Sequence, residues 1–328
     1  MNEPDAETVA RFSAVQVYFH FLMAGAILVL FLSGTAITFG GQVGWLYAIF
    51  GYQNIVLIHI VAGVTLFLSL LYYLIYAITG LATGDVPTDW IPTRETVREA
   101  IAYAKHVLGR GRQPRSGKYN WIQKSEILII TVELTVLAAT GLLLVFPGLL
   151  LRYRPAFLVA SDLHAVFAFT LLMGVTFHLY DTHVLQFPLD TSIFTGRVSL
   201  ERAREEWGKW VDGDSERTDG GEPSEAPTGP TGQGETATGD AIEGRSIQVA
   251  AVGVVLFVFA AIYSGIMIDR ILAPIPGTRT TLYLLEPPET ILEGTFGVFW
   301  SLGLNVAVLI IIAGLVALLY GMAQRVTD

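Results

Sequence analysis

Four of the six histidines in this 328-residue chain, His20, His59, His164 and His178, stand inside long apolar stretches. An ionisable side chain is costly within a membrane and usually marks function there. Neutral imidazole binds transition metals and is the usual axial ligand of a b-type haem. The chain has no cysteine, which excludes disulfides, thiolate-held iron–sulfur clusters and the CxxCH attachment of a c-type haem. A metal centre must therefore rest on His or carboxylate.

The spacing of these histidines narrows the chemistry. His164 and His178 are fourteen residues apart, about 21 Å along a helix and only about 40° out of phase, so one helix face offers imidazoles at two depths. The elements that must position them are membrane spans. Apolar residues make up 52% of the chain and charged residues 15%, against about a quarter charged in a soluble domain. Six stretches, near 14–38, 54–79, 125–147, 157–182, 246–268 and 296–322, have the roughly 20 apolar residues needed to cross a bilayer. The first is too long for a signal-peptide core and has no small-residue cleavage site behind it, so it is expected to remain in the mature protein.

Lys and Arg sort between the connections. With both termini in the cytoplasm, cytoplasmic segments carry sixteen and outer ones four, which is the orientation favoured by the positive-inside rule. Span one then runs outward and places His20 near the inner surface. Spans two and four run inward, so His59 and His164 lie near the outer surface and His178 near the inner one. The depths pair His59 with His164 and His20 with His178, each pair able to hold one iron from opposite faces of a porphyrin. Gly34 and Gly141 fall at the outer level, where close backbone approach would make room for a porphyrin edge; small residues are common at any membrane helix contact. The plainer alternative is four unrelated histidines hydrogen-bonding between helices. His106, in a basic connection, and His183, just past span four, read as surface or interface residues.

The net charge of −9 is concentrated in one segment, since Asp212–Glu243 holds nine acidic residues and one Arg. Built from Gly, Pro, Ser, Thr and acids, this stretch cannot bury enough apolar surface to fold. The expected organisation is a four-helix module (1–210), an acidic linker (211–245) and a two-helix extension (246–328). Glu126 and Glu133 share one face of span three. Proton delivery is one reading of the pair; a protonated or hydrogen-bonded Glu133 is the other.

Several motifs carry a family resemblance: RFSAVQVYFHFLMAGAILVLFLSG on span one, IVLIHIVAG on span two, GKYNWIQK before span three, SDLHAVFAF and VTFHLYDTH on span four, and FTGRVSLERAREEWGKW after it. With them, residues 11–210 resemble the gamma subunit of membrane-bound formate dehydrogenase and, more broadly, the cytochrome b subunits of hydrogenases and related respiratory oxidoreductases. The resemblance implies an all-α membrane protein, a four-helix di-haem cytochrome b bundle, here with two additional C-terminal transmembrane helices. It implies two b haems, the outer held by His59 and His164 and the inner by His20 and His178, which is the pairing the depths give. It also implies an iron–sulfur subunit and a catalytic subunit as partners, and menaquinone or another quinone exchanging electrons near the cytoplasmic surface, bordered by Asn120 and His178. Asn120 can donate to a quinone carbonyl, with Gln123 as a second donor, or it can simply cap span three. Ile122 stands where the family pattern usually has Gly, and spans five and six lie outside the resemblance. The expected function is membrane electron transfer, with membrane lipid around the chain and no nucleic-acid partner. A cofactor-free proton transporter and a purely structural anchor are the alternatives.

Overall fold

The computed structural model describes residues 7–83, 89–112, 114–146, 154–184, 190, 192–212 and 295–327. In chain order the helices are α1 (Ala14–Thr38), α2 (Gly44–Phe50), α3 (Tyr52–Thr83), α4 (Arg94–Val107), α5 (Trp121–Val145), α6 (Arg154–Leu179), α7 (Ser192–Thr195), α8 (Leu200–Glu206) and α9 (Thr295–Thr327). A π-helical turn, Tyr180–Val184, follows α6. The strands β1 (Thr8–Ala10) and β2 (Arg197–Ser199) form one small antiparallel ribbon. Among the described residues, five helical segments are long and apolar enough to cross a membrane: Ala14–Thr38, Tyr52–Thr83, Trp121–Val145, Ala156–Thr182 and Ser301–Ala323. They coincide with five of the six spans expected from the sequence. The expected span at 246–268, and the acidic linker beyond its first two residues, lie outside the described residues.

Capping chemistry starts two of the membrane helices. Ser13 and Gln16 form a reciprocal cap on α1, at 3.3 and 3.0 Å. Asn120 and Gln123 do the same on α5, at 2.9 and 3.1 Å. Each satisfies two of the N–H groups that a helix start leaves without intrahelical partners. Outward-facing apolar side chains are then left for lipid: on α3 alone, Leu57, Val61, Val64, Leu68, Tyr72, Ile75 and Ile78 are exposed. A continuous apolar face of this length marks an all-α, multi-pass membrane protein.

The chain divides into two compact units. One comprises Ser13–Asp85, Glu133–Leu172 and Ala260–Asp328. In it α1 packs on α3 and on α9, with Ala36, Val43, Leu46, Ile55 and Val308 buried together. Phe19 and Tyr73 stack with ring centres 4.3 Å apart. Asn305 of α9 accepts from Trp45 Nε1 at 2.7 Å and donates to the Gln42 carbonyl at 3.0 Å. Gly51 takes φ 76° between α2 and α3, a left-handed conformation that glycine adopts at no steric cost. The last helix is thus tied to the turn between α1 and α3.

The other unit comprises Met1–Phe12, Val86–Val132 and Met173–Phe259. Here β1 and β2 pair Thr8 with Ser199, Val9 with Val198 and Ala10 with Arg197, over a buried cluster of Val198, Ala203 and Trp207. Arg11 is 3% exposed. Its guanidinium donates to Asp190 at 3.0 Å and to Ser192 at 3.1 Å, and its central carbon lies 3.4 Å from the centre of the Trp207 ring. Burial pushes the Asp190 carboxyl up, but hydrogen bonds from the Ser192 hydroxyl and amide together with the Arg11 charge more than offset it, and the group sits below its ordinary value. The FTGRVSLERAREEW segment, noted above as a motif, is thereby locked to the residues that precede α1.

Candidate haem site

Two histidine rings meet in the first of these units. The His59 and His164 ring centres are 6.3 Å apart and the ring planes make an angle of 69°. Two axial imidazoles with metal–nitrogen bonds of about 2 Å, and about 1.1 Å from each nitrogen to its ring centre, have centres about 6.2 Å apart. The observed separation leaves room for one iron between the two rings.

The hydrogen bonds fix which nitrogen each ring presents. Ser33 Oγ lies 2.9 Å from His59 Nδ1 and 2.7 Å from the Val29 carbonyl. A carbonyl only accepts, so the hydroxyl hydrogen goes to Val29 and Ser33 Oγ accepts from Nδ1–H. Thr140 repeats the arrangement, with its Oγ1 2.9 Å from His164 Nδ1 and 2.7 Å from the Val136 carbonyl. Both imidazoles are thus held as the neutral Nδ1–H tautomer, leaving the Nε2 lone pairs for a metal, the outer-shell pattern of ligating histidines.

Each hydroxyl residue is followed by a glycine that serves the same ring. A Cβ on Gly34 would stand 3.4 Å from His59 Cε1, and one on Gly141 would stand 3.3 Å from His164 Cε1. These glycines were expected to make room for a porphyrin edge; in the structure each also stands against one of the two imidazoles. Ser33-Gly34 on α1 and Thr140-Gly141 on α5 form matching cradles. Reading the sequence located the glycines and overlooked the hydroxyls, although two hydroxyl–glycine dipeptides at the depth of two histidines were the available signal.

The other candidate residues distribute as follows. His20 is half-buried on α1. His178, near the end of α6, belongs to the second unit, so the pairing of these two remains an expectation. His178 Nδ1 lies 3.2 Å from Glu126 Oε2. Glu133 is buried, with Thr170 as a side-chain hydrogen-bond partner, the arrangement foreseen as the alternative to proton delivery. His106 is a half-buried residue at the end of α4, its Nδ1 3.3 Å from the Gly111 carbonyl. The cap on α5 uses the carbonyl oxygens of Asn120 and Gln123, which fixes the orientation of both amides and leaves their NH2 ends outside the cap. Beside them a recess of about 50 Å³ is lined by Glu99, Tyr103, Ser116, Asn120, Trp121 and Ile122, room for a carbonyl edge rather than a whole ring.

Membrane helices that bring two imidazoles together, each with Nδ1 held by a hydroxyl, fit a membrane cytochrome b, an electron-transfer protein that binds b haem. The family model for prokaryotic cytochrome b561 matches residues 11–194, more than half the chain. The chain belongs to that family. No curated protein gives a significant match.

Proposed function

We propose that the chain is the cytochrome b subunit of a quinone-linked respiratory oxidoreductase, similar in role to a formate dehydrogenase gamma subunit, and that it holds two b haems. The observation that carries this reading is the His59–His164 pair, at ligand spacing and with both tautomers fixed. The resemblance of residues 11–210 and the fourteen-residue repeat on α6 supply the second site, His20 with His178. Bound haem supplies a one-electron iron couple; the chain supplies ligation, spacing and a dry surrounding.

In this reading both termini are cytoplasmic, and an outer iron–sulfur subunit, itself served by a catalytic subunit, exchanges electrons at the His59–His164 level. Quinone exchanges them on the cytoplasmic side, where the recess beside Asn120 takes a carbonyl edge and the NH2 groups of Asn120 and Gln123 donate to it. Lys118 and Lys124 bring positive charge to the same segment, which favours a reduced quinone.

Substitution at Asn120 tests this. Asp caps as well as Asn but has no NH2 donor. Asn120→Asp is therefore expected to preserve folding and haem content while slowing stopped-flow oxidation of the reduced haems by a menaquinone analogue, and Asn120→Ala to slow it equally. A wild-type rate in both variants removes Asn120 from the quinone site. Haems that no quinol or quinone reduces or oxidises in the wild-type chain would refute the quinone-linked role.

A further inference from the structure

His59, His164 and His178 each hydrogen-bond a side-chain oxygen through Nδ1, but the partners differ in charge. His59 and His164 face the hydroxyls of Ser33 and Thr140. His178 faces the Glu126 carboxylate at 3.2 Å, with Asp181 near enough to add a second negative field. Glu126 Oε1 is buried and has no hydrogen-bond partner among the described residues, and Oε2 is the oxygen that meets His178.

We infer that Glu126 is a positioning residue for His178 that also sets the redox poise of the haem held there, making it the lower-potential of two haems. The inference rests on the reading of His178 as an axial ligand. The Nδ1–H to carboxylate hydrogen bond orients the ring and is charge-assisted, stronger than a bond to a hydroxyl. It raises the basicity of the ligating nitrogen and gives the imidazole anionic character. Ferric iron between two neutral imidazoles and a porphyrin dianion carries one net positive charge that disappears on reduction. A carboxylate held against the ligand favours the ferric state and lowers the potential; neutral hydroxyls do so far less. Second-shell hydrogen bonding and local charge are established levers on haem potential.

The test is a potentiometric titration of the purified full-length chain, followed by visible spectra, in wild type, Glu126→Gln, Glu126→Asp and His178→Ala. Wild type is expected to show two components. Glu126→Gln keeps a hydrogen-bond acceptor for Nδ1 and removes the charge. It is expected to raise the ratio of reduced to oxidised haem in the lower component at least tenfold at fixed potential, a shift of about 59 mV for a one-electron couple. The other component and the ferric electron paramagnetic resonance signals should stay in place, the latter reporting that ring geometry is kept. Glu126→Asp retains the charge and should remain closer to wild type than Gln does; it carries the test if the Gln variant fails to fold. Unmoved potentials in Glu126→Gln, or a shift confined to the component that His59→Ala removes, would overturn the tuning role. His178→Ala should abolish the lower component, and survival of both components in that variant would instead overturn the ligand assignment beneath it.

Discussion

The cradle around His164 gives the sharpest perturbation. Thr140→Val is close to isosteric and leaves the van der Waals surface against the ring, but deletes the oxygen that accepts from His164 Nδ1–H at 2.9 Å. Thr140 is 6% exposed, so water does not readily replace it. A buried donor left without a partner costs about 1–3 kcal/mol, and loss of an outer-shell partner of a metal-bound histidine weakens affinity by about 10–100-fold. The two estimates agree, since about 1.4 kcal/mol is a factor of ten. The assay is haem loss from purified protein to an excess of a haem-scavenging apoprotein, followed in the Soret band. Loss from one haem component is expected to accelerate by about one to two orders of magnitude, with Ser33→Ala affecting the same component. Wild-type retention in both variants would show that the hydroxyls do not hold the ligating tautomer.

Three further outcomes are expected. His59→Ala and His164→Ala should deplete the same spectroscopic haem, and His20→Ala with His178→Ala the other; depletion of one shared component by His20→Ala and His59→Ala would contradict the topology. Asp190→Ala should destabilise the chain by about 3–5 kcal/mol, measured by thermal unfolding, because it leaves the buried Arg11 charge without its carboxylate. Since the Asp190 carboxyl lies below its ordinary value, its stabilisation is fully present above about pH 4 and is lost as pH falls through the lowered value, so this ion pair should add no pH dependence to unfolding between pH 5 and 8. The purified subunit alone should not oxidise formate, hydrogen or a sulfur compound; turnover by the isolated chain would assign it a catalytic centre of its own.

Long apolar runs announce themselves, and five spans could be placed from the sequence to within a few residues because membrane helices are constrained chiefly by length and hydropathy. The histidine pair at 59 and 164 was legible for a related reason: helical rise converts sequence position into depth. What the sequence did not reveal is what depends on side-chain direction. Ser33 and Thr140 resemble any small polar residue of a membrane helix until the ring they touch is seen, and the sequence does not say that Gly34 and Gly141 lie against the same two imidazoles. Glu126 was noticed for its seven-residue spacing from Glu133, a pattern along one helix, whereas its contact is with His178, 52 residues away. The clamp of Arg11 on Asp190, Ser192 and Trp207 joins positions nearly two hundred residues apart, and three-residue strands such as β1 and β2 leave too little periodicity to read.

Haem stoichiometry tests the account most directly. A pyridine haemochrome assay on the purified, fully folded chain, referred to protein by quantitative amino-acid analysis, is expected to give two b haems per polypeptide, falling to one in His164→Ala. A value of one or none in the wild-type chain would contradict the two-site assignment built on His20, His59, His164 and His178.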